Sequence, residues 1–173
     1  MTLPFKRGLV AVLLLCGTGA AHAQGRTLPS AQVKTLTGKS VDVSTFSNNG
    51  KPMIVVAWEI TCAPCLTEFS AIHKVYDTWQ SETGVKLVAV SVDDNRSSSR
   101  VLPMARTKGW KWDVYLDPNQ EFKRAMSVPS CPYAFVLNGK GEVVWQKPGY
   151  VPGDETMLYE VVKKVAAGQS ITE

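Results

Sequence analysis

Two cysteines separated by two residues lie between an apolar strand and an amphipathic helix. The strand is predicted over residues 53–58, a continuous apolar run that ends four residues before Cys62. A helix is predicted to begin near Ala63 and to include Cys65, because apolar residues then recur at three- and four-residue steps. The recurring residues are Leu66, Phe69, Ile72, Tyr76 and Trp79. A strand, turn and helix in this order are typical of a sheet that is covered by helices.

This placement gives the two thiols different surroundings. Cys62 is predicted at the helix N-terminus, where unpaired N–H groups and the positive end of the helix dipole stabilise a thiolate. Cys65 follows within reach of it, and Pro64 lies in the first turn, where its missing N–H costs little. A thiolate with a second thiol beside it is the arrangement needed for thiol/disulfide exchange.

The rest of the chain alternates between predicted strands and helices. A small hairpin is predicted over residues 33–43 and a second over 133–146, where Asn138 and Gly139 open the turn. Between them, strands are predicted at 85–92 and 112–116, and helices at 97–108 and 119–126. Residues 154–167 are predicted as a final helix, with Met157 on its inward face. The expected architecture is an α/β fold with a mixed central sheet flanked by helices on both faces.

The N-terminal segment has the pattern of a secretory signal. Lys6 and Arg7 precede an uncharged apolar run, residues 8–21, and the segment ends in Ala21-His22-Ala23, with small residues at positions 21 and 23. The run is shorter than the roughly 20 residues that span a bilayer as a helix. We therefore predict a signal peptide at 1–23 that is cleaved, a mature domain at 24–173, export to the periplasm and no stable membrane insertion after cleavage.

Composition and charge limit the remaining possibilities. The chain is 45% hydrophobic and 20% charged, which is typical of one globular domain. Loss of Lys6 and Arg7 lowers the formal net charge from +4 to +2, which gives no basic field for nucleic acid. Cys62, Cys65 and Cys131 would remain, in a compartment that permits disulfides.

These residues resemble the thioredoxin fold and, within it, the TlpA/ResA-like periplasmic thiol-disulfide oxidoreductases. The resemblance covers about residues 27–168. It rests on Trp58, the Cys-Ala-Pro-Cys motif at 62–65, Glu68, the segment 85–116 that matches an inserted strand and helix, and Pro132 at the position of the family's cis-proline. It also implies the N-terminal hairpin of this group.

The resemblance assigns roles to these positions. It implies that Cys62 attacks, that Cys65 resolves the mixed disulfide and that Glu68 accepts the proton of Cys65. It further implies that Pro132 is cis and that the backbone beside it pairs with an extended substrate. The expected substrate-binding residues are Trp58, as a wall of the site, Thr61, Ser130 and Cys131. Two of these depart from the family pattern, because Thr61 replaces a common Trp and Cys131 adds a third thiol.

The function implied by the resemblance is reduction of protein disulfides, for example in apocytochrome c before haem attachment. Its partners would be protein thiol or disulfide clients and a membrane reductant carrier. No cofactor and no metal site are expected, and the protein is expected to be a monomer. The sequence itself does not show the direction of the reaction.

Several alternatives remain open at this point. Glu68 could be a solvated helix residue, and Cys131 could be a buried apolar residue, a competitor for the Cys62 sulfur or part of a three-sulfur metal site. A thiol peroxidase is a rival function, although Glu59 stands where that chemistry usually has Thr or Ser. A copper chaperone is another rival, although its usual cysteine spacing and distant histidine are missing.

Overall fold

The computed structural model describes residues 25–171, and the predicted signal peptide lies outside the described residues. The strands are β1 (Gln32–Thr35), β2 (Ser40–Asp42), β3 (Met53–Trp58), β4 (Lys86–Ser91), β5 (Asp113–Leu116), β6 (Tyr133–Leu137) and β7 (Val143–Pro148). The helices are α1 (Ala63–Thr83), α2 (Val101–Lys108), α3 (Glu121–Ala125) and α4 (Asp154–Ala166).

The strands form one mixed sheet in the order β2-β1-β5-β4-β3-β6-β7. The central strands β3, β4 and β5 run parallel to one another, and the two hairpins flank them with antiparallel pairings. The carboxyl ends of the three parallel strands therefore meet at one edge, where ligands and reactive groups gather in open α/β sheets. The predicted mixed sheet and the N-terminal hairpin are confirmed.

Strand β3 lies at the centre of the core, and its six residues are at most 2% exposed. Its side chains alternate between two apolar clusters, as the two-residue period of a strand requires. Ile54, Val56 and Trp58 pack on the side that holds α1, α2 and α4. Met53, Val55 and Ala57 pack on the other side, against α3 and the chain before β1. Helices thus cover both faces, as expected.

Three details differ from the sequence-based predictions. The predicted helix at 97–108 is a short 3₁₀ turn, Ser98–Arg100, followed by α2, and the Asp94 side chain accepts the Ser97 N–H at 2.9 Å. The helix predicted at 119–126 is the shorter α3. Met157 is 42% exposed, because the buried stripe of α4 begins one residue later at Leu158.

Within residues 25–171, no helix has the length and apolar character required to span a membrane.

Candidate active site

Cys62 and Cys65 form a disulfide at the N-terminus of α1, with their Cα atoms 5.3 Å apart. Cys62 is the N-cap residue, and its sulfur accepts the backbone N–H of Cys65 at 3.2 Å. The Cys62 side chain is partly exposed, whereas Cys65 is 0% exposed. An attacking group from outside can therefore reach the sulfur of Cys62 but not that of Cys65.

A cis peptide bond joins Cys131 to Pro132, as the resemblance implied. Pro132 is buried directly before β6, which pairs with β3 in antiparallel register with Tyr133 opposite Ala57. The carboxylate of Glu59, which is three residues before Cys62, lies close enough to Cys131 to raise the pKa of its thiol. The cis-proline segment therefore borders the turn that leads into the disulfide.

Glu68 lies one helical turn after Cys65, and it is 4% exposed. Burial raises the pKa of its carboxyl group from 4.5 to about 8, because the low-dielectric interior disfavours the charged form. Its Oε2 atom has no hydrogen-bond partner among residues 25–171. The alternative in which Glu68 is a solvated helix residue is therefore wrong.

Charged residues from β7 and α4 lie close enough to Glu68 to affect its ionisation. The Lys147 ammonium lowers the pKa of Glu68, whereas the Asp154 and Glu155 carboxylates raise it further. Lys147 forms an ion pair with Asp154, and Tyr150 donates a hydrogen bond to Glu155 at 2.6 Å. The charges of this group therefore act on Glu68 in opposite directions, and burial remains the largest cause of its raised pKa.

The expectation that Trp58 forms a wall of the site is wrong. Its side chain is 0% exposed, so it cannot contact a docked substrate. It packs edge-on against Phe69 and Trp110, with ring centroids 5.4 and 5.1 Å away, and Trp112 extends the same aromatic cluster. Trp58 is therefore a core residue that packs in the aromatic cluster at the end of β3.

The other three expected substrate-binding residues differ in exposure. Thr61 and Ser130 are exposed, and Cys131 is partly buried as a free thiol. Burial raises the pKa of the Cys131 thiol to about 12, and the Glu59 carboxylate adds to the rise. Cys131 is therefore a neutral thiol at physiological pH.

The sequence-based reasoning missed Asp93, which lies just after β4 and is 7% exposed. Its carboxylate accepts the N–H of Ile60 at 2.9 Å and the hydroxyl of Ser91 at 2.8 Å. A signal was available, because an acidic residue follows a buried strand at the edge where parallel strands end. The reasoning also missed Lys147, Tyr150 and the start of α4, which only the tertiary structure brings near Glu68.

Within residues 25–171, no group of three or more His, Cys, Asp and Glu side chains is arranged to hold a metal ion. Cys62 and Cys65 are joined to each other, which leaves neither sulfur in the thiolate form that binds soft metals.

A mixed sheet, a Cys-x-x-Cys disulfide at a helix N-terminus and a cis-proline beside it define the class of thioredoxin-like thiol-disulfide oxidoreductases. The sequence model of the AhpC/TSA family matches residues 24–146 of this chain. The chain belongs to this family.

Individual relatives agree with this class. Thiol-disulfide oxidoreductase ResA from Bacillus subtilis is 24% identical over 96% of this chain and 95% of its own length. Sporulation thiol-disulfide oxidoreductase A from the same organism is 26% identical over 87% of this chain and 94% of its own length. The solution structure of an uncharacterized thioredoxin-like protein from Porphyromonas gingivalis is 41% identical, with a TM-score of 0.74, and covers 81% of this chain and 92% of its own.

Proposed function

We propose that this protein is an exported reductase of protein disulfides that works through Cys62 and Cys65. The observation that carries the proposal is the unequal exposure of the two sulfurs, with Cys62 partly exposed at the helix N-terminus and Cys65 fully buried. The exposed thiolate attacks a client disulfide, and one client sulfur leaves as a thiolate. A mixed disulfide between Cys62 and the other client sulfur remains.

The second half of the reaction needs a proton acceptor for Cys65. On a helix, residues three apart are neighbours, with Cβ atoms about 5–6 Å apart, so Glu68 lies beside the Cys65 thiol. Its carboxylate takes the Cys65 proton, and the resulting thiolate attacks the Cys62 sulfur. The Cys62–Cys65 bond forms and the second client sulfur leaves as a thiolate, so that one client disulfide becomes two thiols. With a pKa of about 8, Glu68 is a stronger base than an ordinary carboxylate.

The docking surface proposed for the client is the segment before β6. Thr61, next to Cys62 in the chain, and Ser130, next to Cys131, are exposed, and the Glu59 carboxylate is close enough to raise the pKa of the Cys131 thiol. An extended client segment would add its backbone hydrogen bonds to this segment, as one strand adds to another. Clients such as apocytochrome c, and recharging by a membrane reductant carrier, follow from the resemblance to the TlpA/ResA group. No cofactor takes part, and the protein acts as a monomer.

The proposed periplasmic location rests on the signal-like sequence at 1–23. N-terminal sequencing of the protein from the periplasmic fraction tests this location, and a mature N-terminus at Gln24 is the expected result. An intact N-terminus on membrane-bound protein would contradict the cleavage.

Trapping with Cys65→Ser tests the reaction. This variant should accumulate mixed disulfides between Cys62 and its clients, whereas the matched Cys62→Ser variant should accumulate none. Redox titration of the purified protein then tests the direction. A potential near −270 mV, about that of thioredoxin, is expected, whereas one near −120 mV, about that of a strong oxidant, would contradict reduction.

The two rival functions are tested with the same preparations. Rapid thiol-dependent consumption of peroxide would favour a peroxidase, and stoichiometric retention of Cu(I) that depends on Cys62 would favour a copper chaperone. Both Bacillus subtilis relatives are named as thiol-disulfide oxidoreductases, which favours disulfide exchange over either rival.

A further inference from the structure

The turn that carries Cys62 out of the sheet is held by a side chain from the neighbouring strand. We use the name redox turn for residues 59–62. Asp93 lies just past the end of β4, and its Oδ2 atom accepts the backbone N–H of Ile60 at 2.9 Å, across 33 residues of sequence. The hydroxyl of Ser91 donates to the same oxygen at 2.8 Å and fixes the orientation of the carboxylate.

This contact begins where the backbone pairing of β3 and β4 ends. The last backbone link between these strands is the Val92 N–H to the Trp58 carbonyl, at 2.9 Å. Within the redox turn, the Cys62 N–H bonds the Glu59 carbonyl at 3.1 Å, which closes the turn on itself. Beyond this point, the hydrogen bond from the Ile60 N–H to the Asp93 carboxylate links the redox turn to the end of β4 in place of backbone pairing.

The contact is enclosed, so water cannot easily replace it. Asp93 is 7% exposed, Ile60 is 5% exposed and Ser91 is 0% exposed. A buried N–H that loses its acceptor is costly, because water does not reach it, and the backbone is expected to shift to recover a partner. Loss of the carboxylate would therefore move Ile60, and with it Cys62 two residues later.

The charge of Asp93 does not favour the chemistry. A carboxylate near a thiol disfavours the thiolate, and Asp93 contributes to the raised pKa of Cys131 in this way. A carboxylate is nevertheless well suited to hold the turn, because it is acceptor-only and forms strong charge-assisted bonds. The charge of Asp93 thus opposes formation of a thiolate, whereas its hydrogen bonds hold the redox turn in place. A positioning role and an electrostatic role of Asp93 therefore predict opposite effects on the reaction.

We propose that Asp93 is a positioning residue for the reaction at Cys62: its carboxylate holds the Ile60 N–H and so fixes where the redox turn presents the attacking sulfur. The inference rests on the proposed function, because it assumes that Cys62 attacks. It adds a requirement that the Cys-Ala-Pro-Cys motif alone does not state.

The test compares Asp93→Ala with the conservative Asp93→Asn, whose carboxamide oxygen can still accept both hydrogen bonds. The rate measured is the reduction of a disulfide-bonded peptide by the fully reduced protein. It is taken at a pH above the midpoint of Cys62 alkylation in every variant, so that changes in thiol pKa do not affect it. Asp94→Ala is the control. Asp94 is the exposed neighbour of Asp93, and its carboxylate accepts hydrogen bonds from the backbone N–H groups of Arg96 and Ser97 in its own loop.

Asp93→Ala should lower the rate roughly tenfold to a hundredfold, the range expected for a displaced reacting group. It should also speed hydrogen exchange at the Ile60 amide, while the Val55 amide in β3 stays protected. Asp93→Asn should stay within about threefold of the wild-type rate, and Asp94→Ala should match the wild type.

Three results would overturn the positioning role. These are a wild-type rate in Asp93→Ala, a rate in Asp93→Asn more than about tenfold below the wild type, and fast exchange of the Ile60 amide in the wild-type protein. The last measurement and the Asp93→Asn rate decide the question even if Asp93→Ala does not fold. Cys62→Ser separates this inference from the proposed function, because activity without Cys62 would contradict the function itself.

Discussion

Glu68 and Cys65 lie one turn apart on the buried face of α1, at 4% and 0% exposure. The Glu68 carboxyl group and the Cys65 sulfur are thus both enclosed, whereas the Cys62 side chain is partly exposed. In the reduced protein the Cys65 sulfur becomes a thiol, and its enclosure would limit proton exchange with solvent. Under the proposed function, the ionisation of Glu68 should affect both the reaction and the stability of the fold, and the two effects can be measured separately.

Glu68→Gln should slow the release of the client from Cys62. The amide has the size of the carboxyl group but cannot accept the Cys65 proton, so resolution of the mixed disulfide should fall about 100-fold, within the usual range for a lost general base. Stopped-flow measurement with a peptide disulfide separates this step from the first attack, which should change little. Equal slowing of both steps would contradict the assigned role.

The same carboxyl group should make stability depend on pH. Its folded pKa of about 8 lies above the usual 4.5, so the folded state binds the proton more tightly than the unfolded state. The resulting stabilisation is complete below about pH 4.5 and is lost as the pH rises through about 8, by roughly 3–5 kcal/mol. Urea unfolding of the oxidised protein between pH 5 and 9 measures this loss. Glu68→Gln should remove most of the slope, and an unchanged slope would contradict the assignment.

Lys147→Gln should raise the pKa of Glu68. The Lys147 ammonium lowers the pKa of Glu68, and its removal leaves the opposing Asp154 and Glu155 carboxylates unbalanced. The midpoint for resolution of the mixed disulfide should therefore shift to higher pH. Lys163→Gln is the matched control, because Lys163 pairs with Glu160 on the surface and should leave the midpoint unchanged. A shift of the midpoint to lower pH in Lys147→Gln would contradict the effect of Lys147 on the pKa of Glu68.

Cys131 should behave as an inert thiol in the oxidised native protein. A pKa of about 12 leaves so little thiolate that alkylation at pH 8 should be roughly a thousandfold slower than for an ordinary cysteine. Mass spectrometry after timed iodoacetamide treatment measures this, and the same protein in urea should react at the ordinary rate. Cys131→Ala should keep client reduction within about twofold of wild type, because the proposed client contact uses the backbone. Rapid native labelling, or a Cys131 bond to Cys62, would revive the competing-thiol hypothesis.

Phe69→Ala should weaken the fold as a whole. Phe69 is 0% exposed and contacts Trp58, Trp110 and Trp112 in the aromatic cluster beneath the redox turn. Loss of a buried phenyl ring typically costs about 3–5 kcal/mol of unfolding free energy. Urea titration measures the loss, and Met157→Ala on the exposed side of α4 should change stability by less than about 0.5 kcal/mol. Similar values for the two variants would contradict the described packing.

The sequence predicts the strand and helix around Cys62 well, because the local pattern is strong. Strand β3 is a continuous apolar run, and α1 carries apolar residues at helical spacing, so neither needs information from distant residues. The cis bond before Pro132 was expected only from the resemblance, since proline also opens strands in the trans form.

The surroundings of Glu68 and Trp58 could not be predicted in this way. Lys147 reaches Glu68 only because β7 pairs with β6 and leads into α4, and no local pattern encodes that approach. Trp58 points into the core because Trp110 and Phe69 pack against it, whereas its position beside the motif suggested exposure. In both cases the deciding contacts are long-range.

The unequal exposure of the two sulfurs also has a kinetic consequence. Under the proposed function, the burial of Cys65 makes the Cys62 sulfur the atom that reacts with a client disulfide in one half-reaction and with a reducing thiol in the other. The two partners would therefore bind the same surface around Cys62 in turn, and neither could bind while the other is attached. Steady-state rates should follow a ping-pong pattern, in which an excess of either partner inhibits turnover by occupying the site that the other requires.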